Sequence, residues 1–198
     1  KTKHTYTPAV KKDKPITVDS QYTIGLGGLI KCKHTFNYPE GLADPPMLGM
    51  AMATGEGFEE LNWFGLGPIE TYADRKAGAL VSEWDNLVTN EYFPYVLPQE
   101  SGNHEDTRWF TLVNEEGKGF QIQAVKKPFG FSARHYAVDD ITKCMHHNEL
   151  TLRKETFVQI NAIQRGLGTS SCGPDTLDKY KIKPGKYVLE YYILPISE

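Results

Sequence analysis

Apolar and polar residues alternate with period two along much of this chain. The alternation is clear in five segments: 30–38, 120–124, 150–152, 158–162 and 187–193. Such a pattern is typical of half-buried strands, which place one face on a core and the other on solvent. We therefore predict a strand in each of these segments.

Turn-forming residues separate the predicted strands. Glycine- and proline-containing stretches at 25–28, 115–119 and 184–185 are predicted to be hairpin or loop connections, and 39–46 a loop. Helical patterns are scarce. The better helix candidate spans 139–145, where Asp139 or Asp140 would cap the N-terminus, and a weaker one spans 70–76. The predicted fold is all-β, a single antiparallel sandwich domain with long connections.

Composition supports a β-rich fold and excludes several functions. The 198 residues include 11 Tyr and 9 Phe, which pack well on pleated sheets. The formal net charge of −3 gives no overall basic field, so nucleic acid and anionic lipid are not expected partners. The lysines near the start lead us to expect an irregular basic segment over 1–20, followed by one domain over 21–198.

Neither the cysteines nor the apolar runs indicate a metal, redox or membrane function. Cys32, Cys144 and Cys172 are far apart and form no CxxC motif. No apolar run approaches the ~18 residues that a membrane-spanning helix needs. Because the chain does not begin with Met, we interpret it as a segment of a longer protein.

The pair His146 and His147, close to Cys144, is the one arrangement that suggests a metal site. Adjacent residues on a strand point to opposite faces, so we interpret these histidines as surface or interdomain residues and expect no metal ligands. Trp63, Trp84 and Trp109 are interpreted as core or interface anchors.

Three motifs stand out from the alternating background. The first, in 61–75, combines glycines that permit unusual backbone geometry with a group of acidic, aromatic and basic side chains. Its distinctive residues are Trp63, Gly65, Gly67, Pro68, Glu70, Tyr72, Asp74 and Arg75. The second motif is the Pro-rich stretch 92–102, and the third is the glycine-rich stretch 166–175. Asp74 and Arg75 are also compatible with a purely structural role in clamping a loop.

In this order and spacing, the motifs resemble the C-terminal domain of the LacZ-type β-galactosidases of glycoside hydrolase family 2. The resemblance covers about residues 20–198. It implies a β-supersandwich similar to galactose mutarotase, of which this chain would be the latter part. It also implies packing beside a barrel that holds two catalytic carboxylates, one acting as acid/base and one as nucleophile in retaining hydrolysis.

The barrel's motifs are missing from this chain, so we expect no catalytic residue in it. The resemblance implies further properties of the parent enzyme: a galactoside substrate, Mg and Na bound in other domains, homo-oligomerisation, and a bacterial cytoplasmic or periplasmic location. It also places 166–175 near the substrate, with Ser170, Ser171, Cys172 and Asp175 as candidate contacts. Cys172 stands where some members have a Trp that stacks on the sugar, which leaves a role in shaping a tight loop equally open.

Two other functions remain open. An aldose 1-epimerase would need a facing general acid and base, for which His104, His135 and His146 are available without a clear carboxylate pairing. A carbohydrate-binding module would use exposed aromatic residues, whereas the resemblance places most of them inside the domain.

Overall fold

The computed structural model describes residues 2–6, 14–169 and 173–197, the first of these segments by its backbone alone. Twelve strands and one α-helix occur in these ranges. The strands are β1 (Thr2–Tyr6), β2 (Ile16–Ile24), β3 (Ile30–Tyr38), β4 (Met47–Glu56), β5 (Glu60–Gly67), β6 (Leu80–Leu87), β7 (His104–Thr107), β8 (Trp109–Val113), β9 (Gly119–Ala124), β10 (Phe129–Arg134), β11 (Glu155–Gln164) and β12 (Gly185–Ile196). The helix is α1 (Val138–Lys143), and short 3-10 turns lie at Leu26–Gly28, Val88–Asn90, His147–Glu149 and Asp178–Tyr180.

The strands form two antiparallel sheets. The larger sheet has the order β1-β2-β3-β12-β9-β8-β5-β6, and the smaller has the order β4-β11-β10-β7. All strand neighbours pair antiparallel. The predicted all-β, antiparallel, sandwich-like fold is therefore confirmed.

One apolar core joins the two sheets. Phe110 of β8 stacks on Phe131 of β10 with ring centroids 4.3 Å apart and planes within 10° of parallel. Trp63 of β5 meets Phe131 edge-on at 6.3 Å. All three side chains are buried. Most of the remaining core comes from the same strands and from β3, β4, β9, β11 and β12, and Val88 and Ile182 add to it from connections. Burial of one face of each strand accounts for the period-two pattern.

Four of the five predicted strands are confirmed. Segment 30–38 forms β3, and the segments 120–124, 158–162 and 187–193 lie in β9, β11 and β12. The prediction for 150–152 is wrong. These residues follow a 3-10 turn and pair with no strand, and Leu152 is 55% exposed. Three alternating residues are too few to distinguish a strand from an irregular connection.

The predicted connections match the structure in most places. The 3-10 turn Leu26–Gly28 joins β2 to β3, with φ of +67° at Gly27 and +80° at Gly28, a region that favours glycine. Residues 115–119 close the β8–β9 hairpin, and 39–46 form the loop between β3 and β4. Residues 184–185 lead into β12 rather than forming a hairpin.

The two helix predictions have different outcomes. The helix in 139–145 is confirmed as α1, and the carboxylate of Asp140 accepts the Ala137 N–H at 3.0 Å, so Asp140 stabilises the first turn from inside the helix. The helix predicted at 70–76 is wrong. Tyr72 and Arg75 instead form a two-residue antiparallel bridge with hydrogen bonds of 3.1 and 2.8 Å.

The described residues among the first 20, namely 2–6 and 14–20, are also more regular than expected. They contain β1 and the first part of β2, which add two strands to the edge of the larger sheet. The expectation of an irregular segment is wrong for these strands, while the domain boundary at residue 20 stays a prediction. Within the described ranges, no helix is long and apolar enough to cross a membrane.

Candidate functional site

Three loops meet over the face of the smaller sheet that points away from the core. They connect β5 to β6, β6 to β7 and β11 to β12, and they carry the three sequence motifs. Two neighbouring clefts lie among them, with volumes of about 480 and 710 Å³. Both clefts are lined by Gln99, Glu100 and Leu167. This loop cluster is the candidate site.

Glu70 links the first motif to the second. Its Oε1 accepts a hydrogen bond from the Tyr95 hydroxyl at 2.5 Å and from the guanidinium of Arg75. Its Oε2 accepts the Gly102 N–H at 2.7 Å and the Tyr72 hydroxyl at 3.3 Å. One carboxylate therefore fixes the second motif to the first at two points, Tyr95 and Gly102.

Asp74 links the first motif to the third. It accepts the N–H groups of Leu167 and Gly168 at 3.0 and 2.8 Å and the Thr176 hydroxyl at 2.9 Å. Burial raises the pKa of Asp74, but these hydrogen bonds outweigh it and hold the pKa below its ordinary value. A Cβ on Gly166 would lie 2.6 Å from the Asp74 carboxyl group, so the loop approaches this closely only with glycine there.

The other residues of the first motif pack the strand that leads into the loop. Trp63 is buried and donates its ring N–H to the Leu66 carbonyl at 3.1 Å. Its ring centroid lies 4.2 Å from that of His104. A Cβ on Gly65 would clash with Thr107, and one on Gly67 would clash with the Trp84 ring. These glycines permit close packing on both sides of β5.

Pro68 follows Gly67 through a cis peptide bond and is exposed at the start of the loop. The other two tryptophans lie partly exposed in the larger sheet. Trp84 donates to the Gly65 carbonyl at 3.2 Å, and Trp109 packs on Phe64 at 6.4 Å.

Arg134 is a residue of the site that sequence reasoning missed. It lies on β10, is 2% exposed, and donates to the Gln159 side chain at 2.6 Å and the Ser101 carbonyl at 3.1 Å. Its guanidinium also meets both carboxylate oxygens of Glu100 at 3.4 Å. The available signal was an arginine at the end of the apolar run 129–133, which a strand buried on both faces would not tolerate without partners.

Asp175 lies at the base of the third loop, whereas Ser170, Ser171 and Cys172 lie outside the described residues. The Asp175 carboxylate accepts a hydrogen bond from Arg165 at 2.6 Å, and Arg165 also pairs with Asp44 at 3.0 Å. The Thr176 N–H and the Arg165 side chain hold the pKa of Asp175 below its ordinary value. Asp175 is thus engaged by residues of this chain.

The three histidines considered for acid–base chemistry lie in separate places. His104 pairs with Glu91 at 2.6 Å in the interior, and His135 pairs with Glu59 at 2.5 Å. His146 pairs with Glu149 at 2.9 Å in an exposed turn. None of the three lines the two clefts of the site.

The structure also changes the reasoning about Cys144, His146 and His147. These residues lie in a turn and a 3-10 segment rather than on a strand, so the alternation of strand faces does not apply to them. In the part of the chain that is described, no three His, Cys, Asp or Glu side chains are grouped so that they could hold a metal ion.

Comparison with known proteins adds the family to this geometry. The profile of the family described as beta galactosidase small chain matches residues 1–193, and thus begins earlier than the resemblance seen in the motifs. The beta-galactosidase of Streptococcus thermophilus is 29% identical over 98% of this chain, which corresponds to 19% of that protein. That of Halalkalibacterium halodurans is 30% identical over 85% of the chain and 17% of the relative.

A similar match extends to a yeast protein. The beta-galactosidase of Kluyveromyces lactis is 30% identical over 75% of the chain and 14% of the relative. The chain therefore spans less than a fifth of the length of these relatives. Since the family profile runs through both sheets and all three loops of the site, the chain belongs to the beta-galactosidase small chain family.

Proposed function

We propose that this chain is a noncatalytic segment of a β-galactosidase, the parent enzyme, which hydrolyses terminal β-D-galactosides with retention. In that enzyme the chain packs beside the catalytic barrel and contributes the loop 166–175 near the substrate. The observation that carries the proposal is the family match over 1–193, together with relatives named beta-galactosidase that are several times longer.

The hydrogen bonding of the carboxylates at the site supports a noncatalytic role. A retaining glycosidase uses two carboxyl groups about 5 Å apart, one to attack the sugar and one to transfer a proton. Glu70, Asp74 and Asp175 instead accept hydrogen bonds from residues of this chain, and Glu100, which lines both clefts, lies against the guanidinium of Arg134. Carboxylates engaged in this way hold loops in place and are poorly suited to attack an anomeric carbon.

The anchoring of 166–175 supports a positional role near the substrate. Asp74 holds the start of this loop, and the Arg165–Asp175 pair holds its end. Anchoring of a loop at both ends reduces the conformations open to it, which favours precise contacts with a substrate. We assign the substrate contacts to Ser170, Ser171, Cys172 and Asp175, the last through whatever hydrogen-bonding capacity its pairing with Arg165 leaves free.

The remaining components of the parent enzyme belong outside this chain in our proposal. Its magnesium and sodium ions are bound by other domains, and the enzyme assembles as a homo-oligomer. Neither property requires a residue of the loop cluster.

Hydrolysis of an aryl β-D-galactoside tests the proposal. The intact parent enzyme and the 198-residue chain are produced separately in a host that lacks β-galactosidase. We expect turnover by the parent and none by the chain. Turnover by the purified chain contradicts the noncatalytic role, and an inactive parent contradicts the assignment to a β-galactosidase.

The same chain preparation tests the two other functions. Galactose mutarotation followed by polarimetry is expected to proceed at the rate of buffer alone. Calorimetric titration with galactose and lactose is expected to show no binding. A catalysed rate in the first experiment favours an epimerase, and a binding isotherm in the second favours a carbohydrate-binding module.

A further inference from the structure

Large apolar side chains surround the loop cluster on its solvent side. Phe93, Val96 and Leu97 of the β6–β7 connection are 55%, 87% and 51% exposed. Ile69 lines a cleft together with Phe93, and Val138 and Met145 line another together with Leu97. We call these six residues, Ile69, Phe93, Val96, Leu97, Val138 and Met145, the apolar rim.

The loop that carries the centre of the rim is held firmly from below. Glu70 accepts hydrogen bonds from Tyr95 and from the Gly102 N–H, at 2.5 and 2.7 Å. Arg134 donates to the Ser101 carbonyl at 3.1 Å, and the rings of Phe93 and Tyr95 pack with centroids 4.6 Å apart. Tyr95, Ser101 and Gly102 are thus bonded to groups beneath the loop, while Phe93, Val96 and Leu97 lie on its exposed side.

Such an arrangement is typical of a protein interface. Single exposed apolar residues are ordinary on a protein surface, but several of them grouped at neighbouring preformed clefts mark an interaction site. Here hydrogen bonds to Glu70 and from Arg134 already hold the loop, which lowers the cost of ordering it on association. The cleft lined by Leu97, Val138 and Met145 also contains the partly exposed Glu100, which packing against the rim would shield from water.

We propose that the apolar rim is the surface on which this chain packs against the rest of the parent polypeptide. The inference rests on the proposed function and names the contact surface that it leaves open. The matched segment is only 14–19% of the length of the relatives, so a partner surface exists within the same polypeptide. Covalent linkage gives that surface a high effective concentration, and the contact needs no strong intrinsic affinity.

Thiol labelling of the intact parent enzyme tests the rim. Val96→Cys is compared with Glu116→Cys, whose native side chain is 69% exposed at the tip of the β8–β9 hairpin and lies outside the rim. We expect a maleimide to label Val96→Cys at least about tenfold more slowly than Glu116→Cys in the native enzyme, and at the same rate after denaturation. Peptide mapping separates these thiols from Cys32, Cys144 and Cys172. Equal rates in the native enzyme overturn the proposal.

Two further measurements identify the partner. We expect the protection of Val96→Cys to persist on dilution, and a cross-linker attached there to reach another part of the same polypeptide. Protection that disappears on dilution assigns the contact to a second copy and overturns the proposal.

Hydrolysis of an aryl β-D-galactoside by the unlabelled parent reports separately on the proposed function. An active parent with rapid labelling contradicts only the rim. An inactive parent with slow labelling contradicts only the β-galactosidase assignment.

Discussion

The sandwich core and the loop cluster are both buried in part, but different interactions hold them together. In the core, Phe110, Phe131 and their neighbours are packed by apolar contact between the two sheets. In the loop cluster, Glu70 and Asp74 collect hydrogen bonds from three separate loops. Apolar packing depends on volume and shape, whereas the loop contacts depend on particular donors and acceptors.

Because of this difference, mutations in the two regions should affect the stability of different parts of the molecule. Loss of a core side chain leaves a cavity that lowers the stability of the whole sandwich, because the core spans both sheets. Loss of one carboxylate in the loop cluster leaves donors without their acceptor, but mainly in the loops that it joins. We therefore expect global destabilisation from the core and local opening from the loops.

Phe131→Ala is expected to give the largest effect. The residue is fully buried between Phe110, Trp63 and His104, so its truncation should lower the free energy of unfolding by about 3–5 kcal/mol. Denaturant unfolding of the chain measures the loss. Phe93→Ala, which truncates a 55% exposed ring, should change the value by less than about 0.5 kcal/mol. A loss for Phe131→Ala as small as that expected for Phe93→Ala would contradict the role of Phe131 in the core.

Asp74→Ala is expected to act mainly on one loop. Removal of the carboxylate leaves Leu167, Gly168 and Thr176 without their acceptor, at a cost on the order of 1–3 kcal/mol. Hydrogen exchange should become faster at the amides of Leu167 and Gly168 and stay unchanged in β8. Asp139→Ala removes an 82% exposed carboxylate and serves as the control. Faster exchange throughout the sandwich would contradict a local role for Asp74.

The same contrast explains how much the sequence could predict. Strands β3, β9, β11 and β12 follow from the period-two pattern, because one face of each is buried in the core. The contacts of the loop cluster have no such period: Asp74 binds Gly168, which is 94 residues away along the chain. A short pattern also misleads, as in 150–152, because its side chains find no neighbouring strand.

The candidate site shows the same limit. Glu70, Asp74 and Arg75 could be singled out by their motif, but 70–76 forms no helix, because the side chains of Glu70 and Asp74 bind other loops and Tyr72 bridges to Arg75. Arg134 could not be assigned to the site, since its partners are far from it in the sequence. Glu100 lies 34 residues before it and Gln159 lies 25 residues after it. Motifs identify residues that matter locally, and only the fold brings their partners together.

Glu105→Gln sharpens the comparison, since the pKa of this carboxyl group is raised overall, whereas that of Asp74 is lowered by its hydrogen bonds. Burial raises the pKa of Glu105, although Lys76 and Asn103 oppose the shift. The folded state then binds more protons than the unfolded state above about pH 4.5, so stability falls as the pH rises through this range. Glu105→Gln should remove the slope and stabilise the chain at pH 7.

Asp74→Asn is the control, because it removes a slope of the opposite sign. The lowered pKa of Asp74 contributes stability that is present above about pH 3.8 and is lost as the pH falls through the folded-state value. Denaturation profiles between pH 2 and 7 therefore separate the two groups. A parallel profile for Glu105→Gln and the unmodified chain would show that Glu105 is not held in a desolvated position.

Lys154→Ala is expected to give the smallest effect, because its ion pair belongs to neither region. Lys154 and Glu56 meet at 2.9 Å across β11 and β4, but their side chains are 76% and 66% exposed. Water and salt screen such a pair, so we expect a change in unfolding free energy of less than about 0.5 kcal/mol. Denaturant unfolding at low and high salt measures it. A larger loss that disappears in high salt would mean that exposed charge pairs also stabilise the sandwich. Surface ion pairs would then have to be counted beside apolar packing in the core and hydrogen bonds in the loops.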